Sequence, residues 1–229
     1  MALTSKDSIV GTNHGQHRTK YDFEEVVADI IDNSIDAKAS VIDIEFKDTD
    51  YTTAGSPGGQ GKSVKYKEGL GFLTGNRSYL LISDNGKGMT FDELHENLTR
   101  GSIREYEDYE LGHFGIGLKD ATLSQAYEIT VFSKKKGHPM AALRMSSIWY
   151  QETGENEFME PDKDFINQYE WMGKTDGYRK SVDLLAAATS GTIVLLEGLH
   201  KQEKKYGNSM SRSDYNTSII NLLDAHLGI

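Results

Sequence analysis

Four polar residues, Glu25, Asp29, Asn33 and Asp36, recur at intervals of four, four and three in FEEVVADIIDNSID. On a helix that spacing puts them on one face. Carboxylates and an amide oxygen gathered there offer a base and hard oxygen ligands of the kind Mg²⁺ prefers. A solvated acidic face is the alternative reading. A second group is Asp84-Asn85-Gly86-Lys87-Gly88-Met89, directly after the apolar run YLLIS. A carboxylate at a strand end can accept from an exocyclic amine, the glycines let a flat ring approach the backbone, and Met89 can pack on that ring. Read blandly, Asn-Gly here is a turn. A third group is Gly112-His113-Phe114-Gly115-Ile116-Gly117-Leu118-Lys119. Three glycines leading into a helix gather free amides and the positive end of a dipole, which suits phosphates; a helix entry with no ligand is equally compatible.

The stretch SPGGQGKS, residues 56–63, imitates a phosphate-binding loop but fails its requirements. The motif needs a glycine where Ser56 stands, a buried strand before it and a helix after it. TTAG precedes it, and VKYKEGLG follows without a helical period. It reads as a flexible loop.

The elements that must carry these groups are legible from periodicity. Asp22 with Glu25 forms a capping-box pattern before a helix. Phe23, Val26, Val27, Ile30, Ile31 and Ile35 make its apolar stripe. VIDIEF (41–46) alternates like a strand, and Tyr79–Ser83 is a second. Thr90 and Glu93 cap a short helix, FDELHENL. YEITVFS and MAALRMS form a hairpin around KKKGHP. GTIVLLE is a further strand, and SDYNTSIINLLDAHLGI an amphipathic helix. Residues 1–20 read as an arm and 48–78 as a long insertion; 151–189 give no clear pattern.

The chain has 229 residues, 37% of them hydrophobic, enough for one domain with a core. No apolar run is long enough to span a membrane, and the first residues lack a secretory pattern. There are 0 cysteines, which removes disulfides, thiolate nucleophiles and Cys-based zinc sites. A cytoplasmic protein is the simplest reading. The net charge of −10 argues against this chain wrapping nucleic acid by itself. Its one compact basic cluster, Lys134-Lys135-Lys136, reads as a solvated hairpin tip or a small DNA contact. The chain stops one residue after Gly228, a helix-ending position, so it reads as a piece of a longer protein.

In order and context, the three groups resemble the N-box, the D-x-G-x-G motif and the glycine lid of the GHKL ATPases, which include DNA gyrase B, MutL, the ninety-kilodalton heat-shock chaperone, MORC proteins and histidine kinases. Ser190-Gly191-Thr192 before a strand matches the family's Gly-Thr element. The resemblance covers most of residues 20 to 200, and its spelling sits nearest the MORC and chaperone branches.

It implies an α+β, two-layer sandwich with a mixed, mostly antiparallel sheet and helices on one face. It implies ATP and Mg²⁺ as ligands. By position, Asn33 matches the Mg²⁺ ligand, Asp84 the carboxylate that recognises the adenine amine, and Gly86, Gly88 and Met89 the surrounding adenine motif. Thr192 matches the threonine supporting Asp84 and a water, and Asn97 a phosphate-side asparagine. Gly112, His113, Phe114, Gly115, Gly117, Leu118 and Lys119 match the lid, with 99–111 its mobile part and Arg104 a candidate phosphate contact. The family's base is Glu; here Asp29 holds that place, one methylene short, with Glu25 a weaker alternative. The resemblance further implies a nucleotide-dependent homodimer, an arm exchanged between protomers, and a downstream domain that supplies a catalytic lysine and any DNA contact. Slow hydrolysis driving a clamp is the expected function. A non-hydrolysing switch and a histidine kinase domain are the alternatives.

Overall fold

The computed structural model describes residues 3–5, 22–47, 65–67, 72–74, 79–99, 125–146, 156–159, 176–199, 217 and 220–222. Their elements in chain order are β1 (Leu3–Ser5), α1 (Phe23–Asp36), β2 (Ile42–Lys47), β3 (Lys65–Lys67), β4 (Phe72–Thr74), β5 (Tyr79–Asp84), α2 (Phe91–Thr99), β6 (Ala126–Lys134), β7 (Ala141–Ser146), β8 (Asn156–Met159), α3 (Asp176–Ala187) and β9 (Gly191–Leu199). Seven strands form one sheet in the order β1-β8-β7-β6-β9-β5-β2. Every pairing in it is antiparallel. Strands β3 and β4 pair antiparallel as a separate two-stranded sheet.

Period-two alternation divides the strand residues between two faces. Leu80, Ile82, Ile129, Val131, Leu143, Val194 and Leu196 pack against Phe23, Val26, Val27, Ile30 and Ile31 of α1 and Leu94 of α2. This is the α+β sandwich that the resemblance implies, and α1 buries most of the stripe read from the sequence. Helix α3 adds something the sequence did not announce. Its Val182 and Leu185 pack on the other face, against Leu81, Phe132, Ile193 and Leu195. The central strands are apolar on both faces, so the second face also needs cover.

That second face also carries a buried ion pair. Arg144 Nη2 donates to Glu128 Oε1 at 2.6 Å, with both side chains at most 2% exposed. Among the described residues no helix is long and apolar enough to cross a membrane.

Candidate nucleotide site

Helix α1 is set at both ends. At its start, the Asp22 amide donates to Glu25 Oε2 at 2.9 Å. Glu25 is therefore engaged as a capping residue. At its end, the Lys38 amide donates to the Ile35 carbonyl at 2.8 Å and the Ala39 amide to the Ser34 carbonyl at 3.1 Å. This doubly bonded ending normally uses glycine at the left-handed position, but Lys38 occupies it with φ 60°.

The turn so made is the seat of the 84–89 loop. The Lys87 amide donates to the Ala37 carbonyl at 2.9 Å. Asn85 Oδ1 accepts from the Ser40 and Val41 amides at 2.9 and 3.0 Å, and its Nδ2 donates to Ser40 Oγ at 2.9 Å. Gly86 lies so close that an added Cβ would stand 2.8 Å from the Ala37 Cβ and carbonyl oxygen. Gly88 has φ +63°, and an added Cβ would stand 1.9 Å from the Lys134 carbonyl oxygen. The sequence reading gave these glycines to an approaching ring. The structure gives their space to the protein's own backbone, so both are required before any ligand arrives.

Asp84 ends β5 on the face toward the helix layer. Its Oδ1 accepts from the Gly86 amide at 2.8 Å, and its Oδ2 from Ser34 Oγ on α1 at 3.2 Å. Burial raises the Asp84 pKa, and the bonds from Gly86, Ser34 and the Thr192 amide offset only part of that. Register places Asp84 beside Thr192 and Thr192 beside Ser133 on β6. Gly191 makes this approach possible, since a Cβ there would stand 2.4 Å from the Asp84 carbonyl oxygen. Met89 is half-buried against the core, its amide donating to Ser133 Oγ at 2.8 Å. Asn97 Nδ2 reaches Met89 Sδ at 3.4 Å.

Ser34 is one residue from Asn33, so α1 carries the residue that bonds Asp84 and the candidate metal ligand side by side. Asn33 is exposed, and its Nδ2 donates to the Asp29 carbonyl at 2.7 Å. That bond leaves the amide oxygen, a hard donor, for a cation. This fits Mg²⁺ held by one protein oxygen alongside phosphates and water. Asp29, half-buried, has its pKa raised by burial and by neighbouring Asp32. Such a carboxylate is a better proton acceptor than a free one.

The structure thus brings together Asp84, Gly86, Gly88, Met89, Asn97 and Thr192, and places Asp29 and Asn33 on the helix that touches Asp84. Gly112, His113, Phe114, Gly115, Gly117, Leu118, Lys119 and Arg104 lie outside the described residues, as do the 56–63 loop and most of the arm. Sequence reading missed Ser34 and Ser133. Their signal is a small polar residue on an apolar face: Ser34 follows Ile30 and Ile31 at helical spacing, and Ser133 follows Ile129 and Val131 at strand spacing.

The model of the histidine kinase-, DNA gyrase B- and HSP90-like ATPase family matches residues 21–176. The chain belongs to this ATPase family. The match takes in Asp29, Asn33, Asp84 and the 112–119 glycines and ends before Thr192, whose place beside Asp84 is given by the sheet register. No curated protein sequence matches the chain significantly. In this family the site is one for ATP.

The basic cluster at the β6–β7 turn has internal work. Lys134 Nζ donates to the Ala186 carbonyl at the end of α3, and Lys135 Nζ pairs with Glu93 at 2.5 Å. Lys136 is exposed.

Proposed function

We propose that this domain binds ATP with Mg²⁺ over Asp84 and α1, hydrolyses it slowly, and uses it to close the 112–119 lid and dimerise within a larger clamp. The observation that carries the reading is Asp84. It is a carboxylate of raised pKa at the end of a central strand, held by the Gly86 and Thr192 amides and tied through Ser34 to the helix bearing Asp29 and Asn33.

In this reading Asp84 accepts the adenine 6-amino group, and Met89 lies against the ring. Asn33 would hold Mg²⁺ through its amide oxygen. The cation, when bound, would neutralise phosphate charge. Asp29 accepts a proton from water as the water oxygen bonds to the γ-phosphorus. The bond to the β–γ bridging oxygen breaks, giving ADP and phosphate. The family resemblance assigns the 112–119 glycines and Lys119 to the phosphates. Asp29 is a methylene shorter than the family's Glu, and a displacement of about 1 Å can cost on the order of a hundredfold in rate. The further lysine expected for the γ-phosphate comes from a following domain.

The shortness of Asp29 also favours a second reading, a switch that binds ATP without cleaving it, in which ATP stabilises the closed dimer by linkage alone. Calorimetric titration with a non-hydrolysable ATP analogue and Mg²⁺ on the wild type, Asp84→Asn and Lys62→Ala tests the site. Loss of binding in Asp84→Asn alone supports it, whereas loss in Lys62→Ala alone moves the nucleotide to the 56–63 loop. Phosphate release that disappears in Asp29→Asn supports hydrolysis. Binding with no release selects the switch.

A further inference from the structure

The dipeptide Asn85-Gly86 carries a chemistry of its own. Where glycine follows asparagine, no side chain obstructs approach of the glycine amide nitrogen to the asparagine side chain. A bond forms between Gly86 N and Asn85 Cγ, and the Cγ–Nδ2 bond breaks. The proton from Gly86 N departs with the Nδ2 group as ammonia, leaving a five-membered imide. Water then adds across one of the two imide C–N bonds. Cleavage on the Cγ side gives aspartate at position 85. Cleavage on the backbone side gives isoaspartate, in which the main chain runs through Cβ and Cγ and is one carbon longer.

The Asn85 side chain is exposed, so water has access to it. What restrains the reaction is bonding. Asn85 Oδ1 accepts from the Ser40 and Val41 amides at 2.9 and 3.0 Å, and Nδ2 donates to Ser40 Oγ at 2.9 Å. These three bonds hold Cγ on the turn that follows α1. The nucleophile is tied separately: the Gly86 amide donates to Asp84 Oδ1 at 2.8 Å, and Gly86 is packed on Ala37. Closing the imide requires both restraints to be released together, which means lifting 85–86 off residues 37–41.

We infer that Asn85-Gly86 is a latent self-modification site, reactive only when this loop opens, whose isoaspartyl product abolishes nucleotide binding. The second half rests on the proposed assignment of Asp84 to the nucleotide. An extra main-chain carbon between positions 85 and 86 displaces the Gly86 amide from Asp84, and the contact with Ala37 leaves no room to absorb it. Aspartate at position 85 keeps the main chain as it was and still accepts from the Ser40 and Val41 amides. One imide therefore yields a working and a dead site, and the bonds to Ser40 and Val41 set how often it forms.

The test incubates the wild-type chain, Ser40→Ala and a synthetic peptide of residues 83–90 at mildly alkaline pH. Conversion at position 85 is followed by mass spectrometry, with fragmentation that separates isoaspartate from aspartate. Wild type is expected to convert at least about tenfold more slowly than the peptide, the effect of a local opening that breaks several bonds. Ser40→Ala, at an exposed position, loses one of the three bonds and is expected to convert about fivefold faster than wild type. Calorimetry with ADP and Mg²⁺ on aged wild type is expected to show binding capacity falling in step with isoaspartate, while Asn85→Asp still binds. The inference is overturned if wild type converts as fast as the peptide, if Ser40→Ala converts no faster than wild type, or if chains carrying isoaspartate bind ADP. Failure of the underlying assignment looks different: Asp84→Asn would then bind ADP as wild type does, while the conversion rates, read by mass alone, still decide whether the loop gates the reaction.

Discussion

Asp84 is held by three donors and still has its pKa raised, because burial outweighs them. The sign follows for two quantities. For folding, the native state keeps the Asp84 proton to higher pH than the unfolded chain. Its contribution to stability therefore falls as pH rises from the ordinary aspartate range through the raised native value, then levels off. For binding, the adenine amine needs the ionised carboxylate, so affinity should drop as pH falls through that raised value. Binding near it should release a proton, seen as a dependence of calorimetric enthalpy on buffer. Asp29 is raised as well, by burial and by Asp32. Phosphate release should then fall with acid above the pH at which a free aspartate would titrate. Gly88→Ala adds a methyl 1.9 Å from the Lys134 carbonyl at a positive φ. It should destabilise by at least about 2 kcal/mol in denaturant unfolding. At this scale residue type was enough to raise Asp84 and Asn33 as candidates. It could not reveal that the glycines are filled by the protein itself, because Lys134 and Ala37 become their neighbours only in the fold.

Helix α1 joins the two halves of the site through its own ending. The left-handed Lys38 lets Ala37 turn inward, and the 85–87 loop then bonds to residues 37–41. A non-glycine residue in that conformation costs about 1 kcal/mol. Lys38→Gly should accordingly raise stability by roughly 0.5–1 kcal/mol in chemical denaturation, with ATP affinity unchanged. Helix α2 is fastened similarly: Glu93 takes the Thr90 amide at 2.8 Å and pairs with Lys135 on the β6–β7 turn. Burial raises the Glu93 pKa, but the bonds from Lys135 and Thr90 outweigh it and hold it low. Glu93 thus contributes stability above the ordinary glutamate range that is lost as pH falls through its lowered value. The pair is partly exposed, and Lys135→Ala should cost less than about 1 kcal/mol. The long apolar stripe made α1 legible from sequence. Helix α3 was not, since among its described side chains Val182 and Leu185 are the buried ones, and two contacts a turn apart set no clear period.

Across the whole molecule, the two faces of the sheet divide the labour. One buries the helices that carry the site; the other holds α3 and the Glu128–Arg144 pair. Removing one partner of a buried pair strands the other, so Arg144→Met should cost about 3 kcal/mol or more in unfolding. Nucleotide affinity, measured where the variant is folded, should change little. The apolar runs of β5, β6 and β9 marked them as strands, but their order was beyond that pattern, because it says that a segment is buried and not which strand lies alongside. That order has a consequence in time. Strand β9 separates β5 from β6 in the finished sheet, yet it is made last of the three. A ribosome that has released every N-box and glycine-motif residue still holds a chain whose two central strands have no common neighbour. Ligand recognition should therefore switch on abruptly as the growing chain passes Leu199, and until then the nascent domain exposes two unpaired apolar edges that a chaperone would cover.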